Sequence, residues 1–82
     1  MKPELYQEIA LKQDFPKFNL YRGDIATLID YVPSPTGDEE GAILEVFNAL
    51  GESIAVVAVP VSSIEIVQPD DLLSIRRLLK AG

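Results

Sequence analysis

The stretch that decides the fold is Glu52–Val67, which reads ESIAVVAVPVSSIEIV. Its apolar run, Ile54–Val59, is short and rich in valine, which is typical of a strand buried on both faces. Because proline donates no hydrogen bond to a sheet ladder, we expect Pro60 to end this strand or to lie at an edge or a bulge. Ser62–Ser63 predicts a tight turn before a second, shorter strand at Ile64–Val67. Two strands separated in this way are typical of the end of a small barrel rather than of a hairpin.

Three further strands are predicted upstream, at Ile9–Leu11, Ile25–Val32 and Ala42–Phe47. Apolar residues in the second of these fall on both faces, so either a bulge or full burial explains its pattern. The aromatic residues Phe15 and Phe18 lie in the loop before that strand, and we expect them to fold back onto the core. The sequence Asn48–Glu52 predicts a short hairpin connection with glycine at a positive φ.

The last part of the chain has the pattern of an amphipathic helix from Asp70 to Lys80. Pro69 and the acids after it are typical of a helix start. Four apolar residues recur at helical spacing (Leu72, Ile75, Leu78 and Leu79), and three cations lie in the last turn (Arg76, Arg77 and Lys80). We therefore predict a mainly β protein: a small, five-stranded, partly open barrel over residues 1–68, followed by a helix over residues 69–82. The helix packs on the barrel or on a neighbouring subunit.

Composition excludes several classes of protein. The 82 residues allow one domain, and with neither Cys nor His the chain offers no disulfide and none of the usual zinc ligands. The net charge is −6, with eleven acids against four bases up to Pro69. Nucleic-acid binding needs clustered Lys and Arg, so the acidic body argues against it. We expect a cytoplasmic protein, because there is neither a signal-peptide pattern nor an apolar run long enough to span a membrane.

No residues in the sequence form a recognisable catalytic, cofactor-binding or metal-binding set. Ser62 and Ser63 are candidate nucleophiles, but serine is common in turns because it bonds local backbone. The adjacent acids Asp38, Glu39 and Glu40 lack the alternating spacing of a calcium loop, so a solvated loop explains them better. We therefore predict a protein that is not an enzyme.

Three motifs resemble an uncharacterised bacterial family, common in cyanobacteria and catalogued as domain of unknown function 4926. They are Arg22–Thr27 (RGDIAT), Glu45–Glu52 (EVFNALGE) and Ile54–Pro60 (IAVVAVP), and the resemblance covers about Glu4–Val67. Ala26 departs from a glycine of the family pattern. The resemblance implies an SH3-like barrel without known enzymatic activity. It also implies a role for the chain as a small antitoxin or immunity-like partner of another protein.

The resulting functional hypothesis is a non-catalytic interaction protein. The acids near the longest loop, Val32–Gly41, form an electrostatic field that attracts a basic protein partner. Leu73 and Arg77 lie beside the apolar stripe of the predicted helix, where they mark a second contact. The predicted partner-binding residues are Asp38, Glu39, Glu40, Glu45, Leu73 and Arg77. Self-association through uncovered strand edges is a further expectation, and the alternative function is a small-ligand-binding protein or minor enzyme subunit.

Overall fold

Five antiparallel strands form a single sheet with the order β4-β3-β2-β1-β5. The structure is a computed structural model that describes residues 2–34 and 37–78. The strands are β1 (Glu8–Leu11), β2 (Ile25–Val32), β3 (Gly41–Phe47), β4 (Ser53–Pro60) and β5 (Ile64–Ile66). Single 3₁₀ turns lie at Pro16–Phe18 and Val61–Ser63. The mainly β prediction with five strands is confirmed. Across the described residues the sheet is open, with β4 and β5 at its two edges.

The hydrophobic core lies against one face of this sheet. Alternate residues of β3 (Ala42, Leu44 and Val46) are buried, as strand geometry requires when one face is covered. The core also contains Ile9, Leu11, Leu20, Ala26, Leu28, Val57, Val59 and Ile64. Phe15 and Phe18 pack against it, so the expected return of these two rings to the core is confirmed.

The prediction that the strand at Ile54–Val59 is buried on both faces is wrong. In β4, Val57 and Val59 are buried, whereas Ile54, Val56 and Ala58 are exposed on the opposite face. An apolar run without polar residues cannot show which face another part of the chain covers. The strand also includes Pro60, which pairs with Gly41 at the end of the edge strand, where a missing donor is tolerated.

A bulge resolves the ambiguous pattern of β2. Leu28 lies opposite Leu44 and Asp30 lies opposite Ile43, so Ile29 is the extra residue in the ladder. The inserted residue restores the alternation after it, and Tyr31 then lies opposite the buried Ala42. Of the two explanations that the sequence allowed, the bulge is the one present.

The break between β4 and β5 separates the two edges of the sheet. β4 pairs with β3, whereas β5 pairs with β1. The two strands are therefore not the halves of one hairpin, which confirms the prediction. The turn between them is held by the hydroxyl of Ser63, which donates to the Pro60 carbonyl over 2.6 Å. This serine is buried and satisfied by local backbone, in agreement with its predicted turn role.

The predicted C-terminal helix is absent from the described part of the tail. Residues 71–78 have no regular secondary structure, while Leu79, Lys80 and Gly82 lie outside the described residues. A segment of this length is marginal as a helix because the first turn is costly to nucleate. Instead, Asp71 accepts a hydrogen bond from the Gln68 amide over 2.7 Å, closing a turn. Beyond that turn a long-range contact of Arg76, described below, holds the chain.

Candidate interaction surfaces

The acidic loop Asp38–Glu40 joins β2 to β3, and two of its carboxylates are bound within the protein. Glu39 accepts hydrogen bonds from the Ser62 amide at 3.2 Å and from the Ser62 hydroxyl at 2.9 Å. Glu40 forms an ion pair with Lys2, with 2.5 Å between Nζ and Oε1. The loop is therefore anchored both to the turn before β5 and to the N-terminal segment. These structural roles were not visible in the sequence, since both partners are distant along the chain.

Tyr31 lies beside Lys2, and the charges of Lys2 and Glu40 both act on its phenol. The Lys2 ammonium lies 4.3 Å from the centre of the Tyr31 ring, and the phenol donates to the Pro3 carbonyl over 2.5 Å. Partial burial raises the pKa of Tyr31 above its ordinary value, and the Lys2 charge opposes this shift while Glu40 adds to it. Tyr31 thus joins the N-terminal segment to the sheet.

A groove of about 590 Å³ lies between the acidic loop and the end of β4. Its apolar lining includes Val32, Pro33, Ala58 and Pro60, and the acidic residues Asp38, Glu39 and Glu40 also line it. An apolar surface beside carboxylates is suited to a ligand that combines an apolar group with a cation.

The β4 edge, which we define as Ile54, Val56 and Ala58 together with the backbone of β4, continues from this groove. The side chains of Ile54 and Val56 are 42% and 58% exposed. Glu45 lies on the same face, opposite Val56, and its carboxylate accepts a hydrogen bond from the Ser53 hydroxyl over 2.6 Å. Glu45 is therefore brought beside the β4 edge, although the sequence analysis placed it with the loop acids.

The tail carries the other two predicted residues, Leu73 and Arg77, and it follows β5, which forms the edge of the sheet opposite β4. Leu73 lines a smaller groove of about 180 Å³ with β1 and β5 residues. Arg77 makes no ion pair with any residue of the described ranges. The six predicted partner-binding residues therefore lie on separate surfaces and do not form one site.

Arg76, which the sequence analysis assigned only to a helix end, fixes the tail to the body. Its guanidinium pairs with the Asp24 carboxylate, donates to the Asn19 carbonyl at 3.1 Å and lies 4.8 Å from the Tyr21 ring centre. The hydrogen bond with Asp24 raises the pKa of Arg76, desolvation opposes the shift, and the Asp24 charge reinforces it. No local pattern indicates this pairing, because the two residues are 52 positions apart.

The distribution of Lys and Arg along the chain is a further sequence signal, and the strand positions show what it affects. No Lys or Arg occurs between Arg22 and Arg76, whereas ten acids occur in that interval. The interval contains β2, β3, β4 and β5, and β1 also lacks Lys and Arg, so none of the five strands carries a cation. Lysine is one of the residues that usually protect exposed strand edges, and β4 has none.

The described ranges, 2–34 and 37–78, contain neither a metal-binding group of side chains nor a membrane-spanning helix. Within them, no three His, Cys, Asp or Glu side chains are grouped so that they could hold a metal ion. None of their secondary structure is a helix with the length and apolar character needed to cross a membrane.

No family model, curated protein or solved structure matches this chain. The resemblance to domain of unknown function 4926 therefore stays a prediction based on its three motifs.

Proposed function

We propose that this chain is a non-catalytic interaction protein that binds a basic protein partner. The observation that carries the proposal is the interval from Gly23 to Ile75, which has ten acids and no Lys or Arg. Surfaces with such a field attract partners of opposite charge and speed their encounter. The exposed apolar side chains of the β4 edge supply the contact area that charge alone does not.

The proposed fold family is SH3-like, and this supports a binding role rather than a catalytic one. The strand order β4-β3-β2-β1-β5, with a 3₁₀ turn between β4 and β5, supports the assignment. The antitoxin or immunity-like role proposed from the family resemblance is consistent with a small acidic protein that covers a basic surface. The same proposal includes a bacterial origin and a location in the cytoplasm.

The hydrogen bonds of the serines support the absence of catalysis. The Ser62 hydroxyl donates to Glu39 and the Ser63 hydroxyl donates to the Pro60 carbonyl. Both hydroxyls therefore take part in turn and loop anchoring, which is the ordinary role of serine at such positions.

The test is recovery of the partner from the native host, followed by reconstitution with purified components. We expect a partner with a basic surface whose association rate falls as the salt concentration rises, because exposed charges are screened beyond about 8 Å at physiological ionic strength. A partner without basic character, or an association rate independent of salt, would contradict the proposal.

A small-ligand-binding role is the second candidate, and the groove of about 590 Å³ favours it. Such a ligand would combine a cationic group with an apolar one, to match the carboxylates and the apolar lining. Thermal stabilisation by small amphiphilic amines, with no stabilisation by neutral analogues of the same size, would support this role in place of the protein partner.

A further inference from the structure

The β4 edge has an uncovered backbone. Among the described residues, the only strand that pairs with β4 is β3. Alternate N–H and C=O groups of an edge strand point away from its neighbour, which makes the strand a template for another extended segment. The register of β4 is regular from Ala55 to Pro60, where each residue has one partner on β3.

The usual devices that protect an edge strand lie only at the two ends of β4. The register shift falls near Ile54 and the proline falls at the last position of the strand. The stretch from Ser53 to Pro60 contains no charged residue. Val56, at the centre of the strand, is more than half exposed. The middle of β4 is therefore open to strand addition.

The charge around β4 identifies the kind of strand that fits. The segment 37–61, which contains β3 and β4, has five acids and no base. A second copy paired through β4 would bring two such segments together, and like charges across an interface are unfavourable. A segment with Lys or Arg, by contrast, finds Glu45 beside Val56 and Glu39 of the loop near Ala58, while Glu40 is already paired with Lys2.

We propose that β4 receives an extended segment of the basic partner as a sixth strand of the sheet. The segment alternates apolar residues with Lys or Arg, so that its apolar side chains cover one face and its cations reach the surrounding carboxylates. Backbone hydrogen bonds supply affinity, and the alternation supplies specificity. This inference rests on the proposed function and adds the surface and the conformation of the partner.

The test uses an eight-residue peptide that alternates valine and lysine. A second peptide of the same sequence carries N-methyl groups on its four central residues, so it keeps the charge but loses the central backbone donors. We expect the unmodified peptide to bind at least about tenfold more tightly. We also expect it to slow the hydrogen exchange of backbone amides within Ser53–Val59.

Two protein variants separate pairing from charge. Val56 and Thr27 are the two cross-strand neighbours of Glu45, but only Val56 lies on an edge strand. Val56→Lys and Thr27→Lys therefore add the same charge beside the same carboxylate. We expect Val56→Lys to weaken peptide binding at least about fivefold, and Thr27→Lys to change it less than about twofold.

Several results would overturn strand addition. Equal binding of the two peptides, or equal weakening by the two variants, would show attraction by charge alone and leave the basic partner in place. Absence of peptide binding at low salt would also overturn the inference, while the host partner decides the proposed function separately. Protection of Ser53–Val59 that grows with protein concentration and without peptide would assign the edge to a second copy.

Discussion

Asp24 is the residue through which distant parts of the chain meet. Its carboxylate accepts the Tyr21 amide over 2.8 Å and binds the Arg76 guanidinium. Its side chain is 20% exposed and that of Arg76 is 34% exposed, so water screens the pair only in part. A pair with this exposure contributes about 1 kcal/mol or less to stability. Its main effect is on the position of the tail.

Arg76→Ala is expected to release the tail while it leaves the sheet folded. Residues 71–78 carry the exposed apolar side chains Leu72 and Ile75, before which thermolysin can cleave once the segment is free. We expect faster cleavage in the tail of Arg76→Ala, and a fall of about 1 kcal/mol or less in the free energy of unfolding. Arg77→Ala removes an equal charge from a residue that has no ion pair within residues 2–34 and 37–78, so it is the control and should be cleaved at the wild-type rate. Equal acceleration in both variants would contradict the anchoring role.

Tyr31 gives the protein a dependence on alkaline pH. Because burial raises its pKa in the folded state, the unfolded chain loses the phenol proton first as the pH rises past about 10. The free energy of unfolding should therefore be unaffected by this group below pH 10 and should fall above it. Tyr31→Phe should lower the free energy of unfolding at neutral pH by about 1 kcal/mol, because the hydrogen bond to Pro3 is lost. Above pH 10 the free energy of unfolding of this variant should fall less steeply than that of the wild type. Denaturant unfolding across pH 7–11 measures both; parallel curves would refute the linkage.

At the scale of the element, the β3–β4 hairpin depends on one asparagine. The Asn48 side-chain oxygen accepts the amides of Leu50 at 2.9 Å and Glu52 at 3.0 Å, and its amide donates to the Glu52 carboxylate. Asn48→Ala should lower the free energy of unfolding by about 1–2 kcal/mol, because two turn amides lose their acceptor. Leu50→Ala, in the same turn at a side chain that is exposed, should change it by less than about 0.5 kcal/mol. Urea unfolding of the two variants decides the matter, and similar losses would contradict the role of Asn48.

The strands could be predicted from the sequence because turn residues delimit them locally. Gly51, for example, has a φ of 83°, which its place in the hairpin connection predicted. The exposed face of β4 could not be predicted, since an all-apolar run carries no alternation. The prediction of a C-terminal helix was wrong for a related reason. The apolar residues of the tail do recur at helical spacing, but the Arg76–Asp24 pair and the Asp71 turn hold the tail in another conformation. Local patterns state what a segment favours, and distant partners decide what it adopts.

The predicted site shows the same limit. The acidic character of the loop was visible, but Glu39 and Glu40 bind Ser62 and Lys2, which lie 23 and 38 positions away. The loop therefore has a structural role that a count of acids does not reveal. Glu45 was assigned with the loop acids, and strand pairing places it beside Val56 instead. Pairing register, which the sequence specifies only weakly, decides which acids act together.

At the scale of the molecule, the charge is unevenly placed, and a pair of triple variants tests whether its location matters. Asp38→Asn, Glu39→Gln and Glu40→Gln together remove three charges beside β4. The amide oxygen at position 39 can still accept a hydrogen bond from Ser62, so the loop keeps a link to the turn before β5, although it loses the ion pair between Glu40 and Lys2.

The control triple, Glu4→Gln, Glu8→Gln and Glu65→Gln, removes the same charge from the N-terminal segment, β1 and β5. Both triples have a net charge three units less negative than the wild type, so a steering effect of net charge alone would slow association with the basic partner equally. If the field near β4 directs the encounter, the loop triple should lower the association rate about tenfold at low salt, and the control less than about threefold. The difference should vanish as salt rises, since screening removes the field. Stopped-flow association across a salt series measures this, and equal slowing by the two triples would place the steering in the net charge of the whole protein.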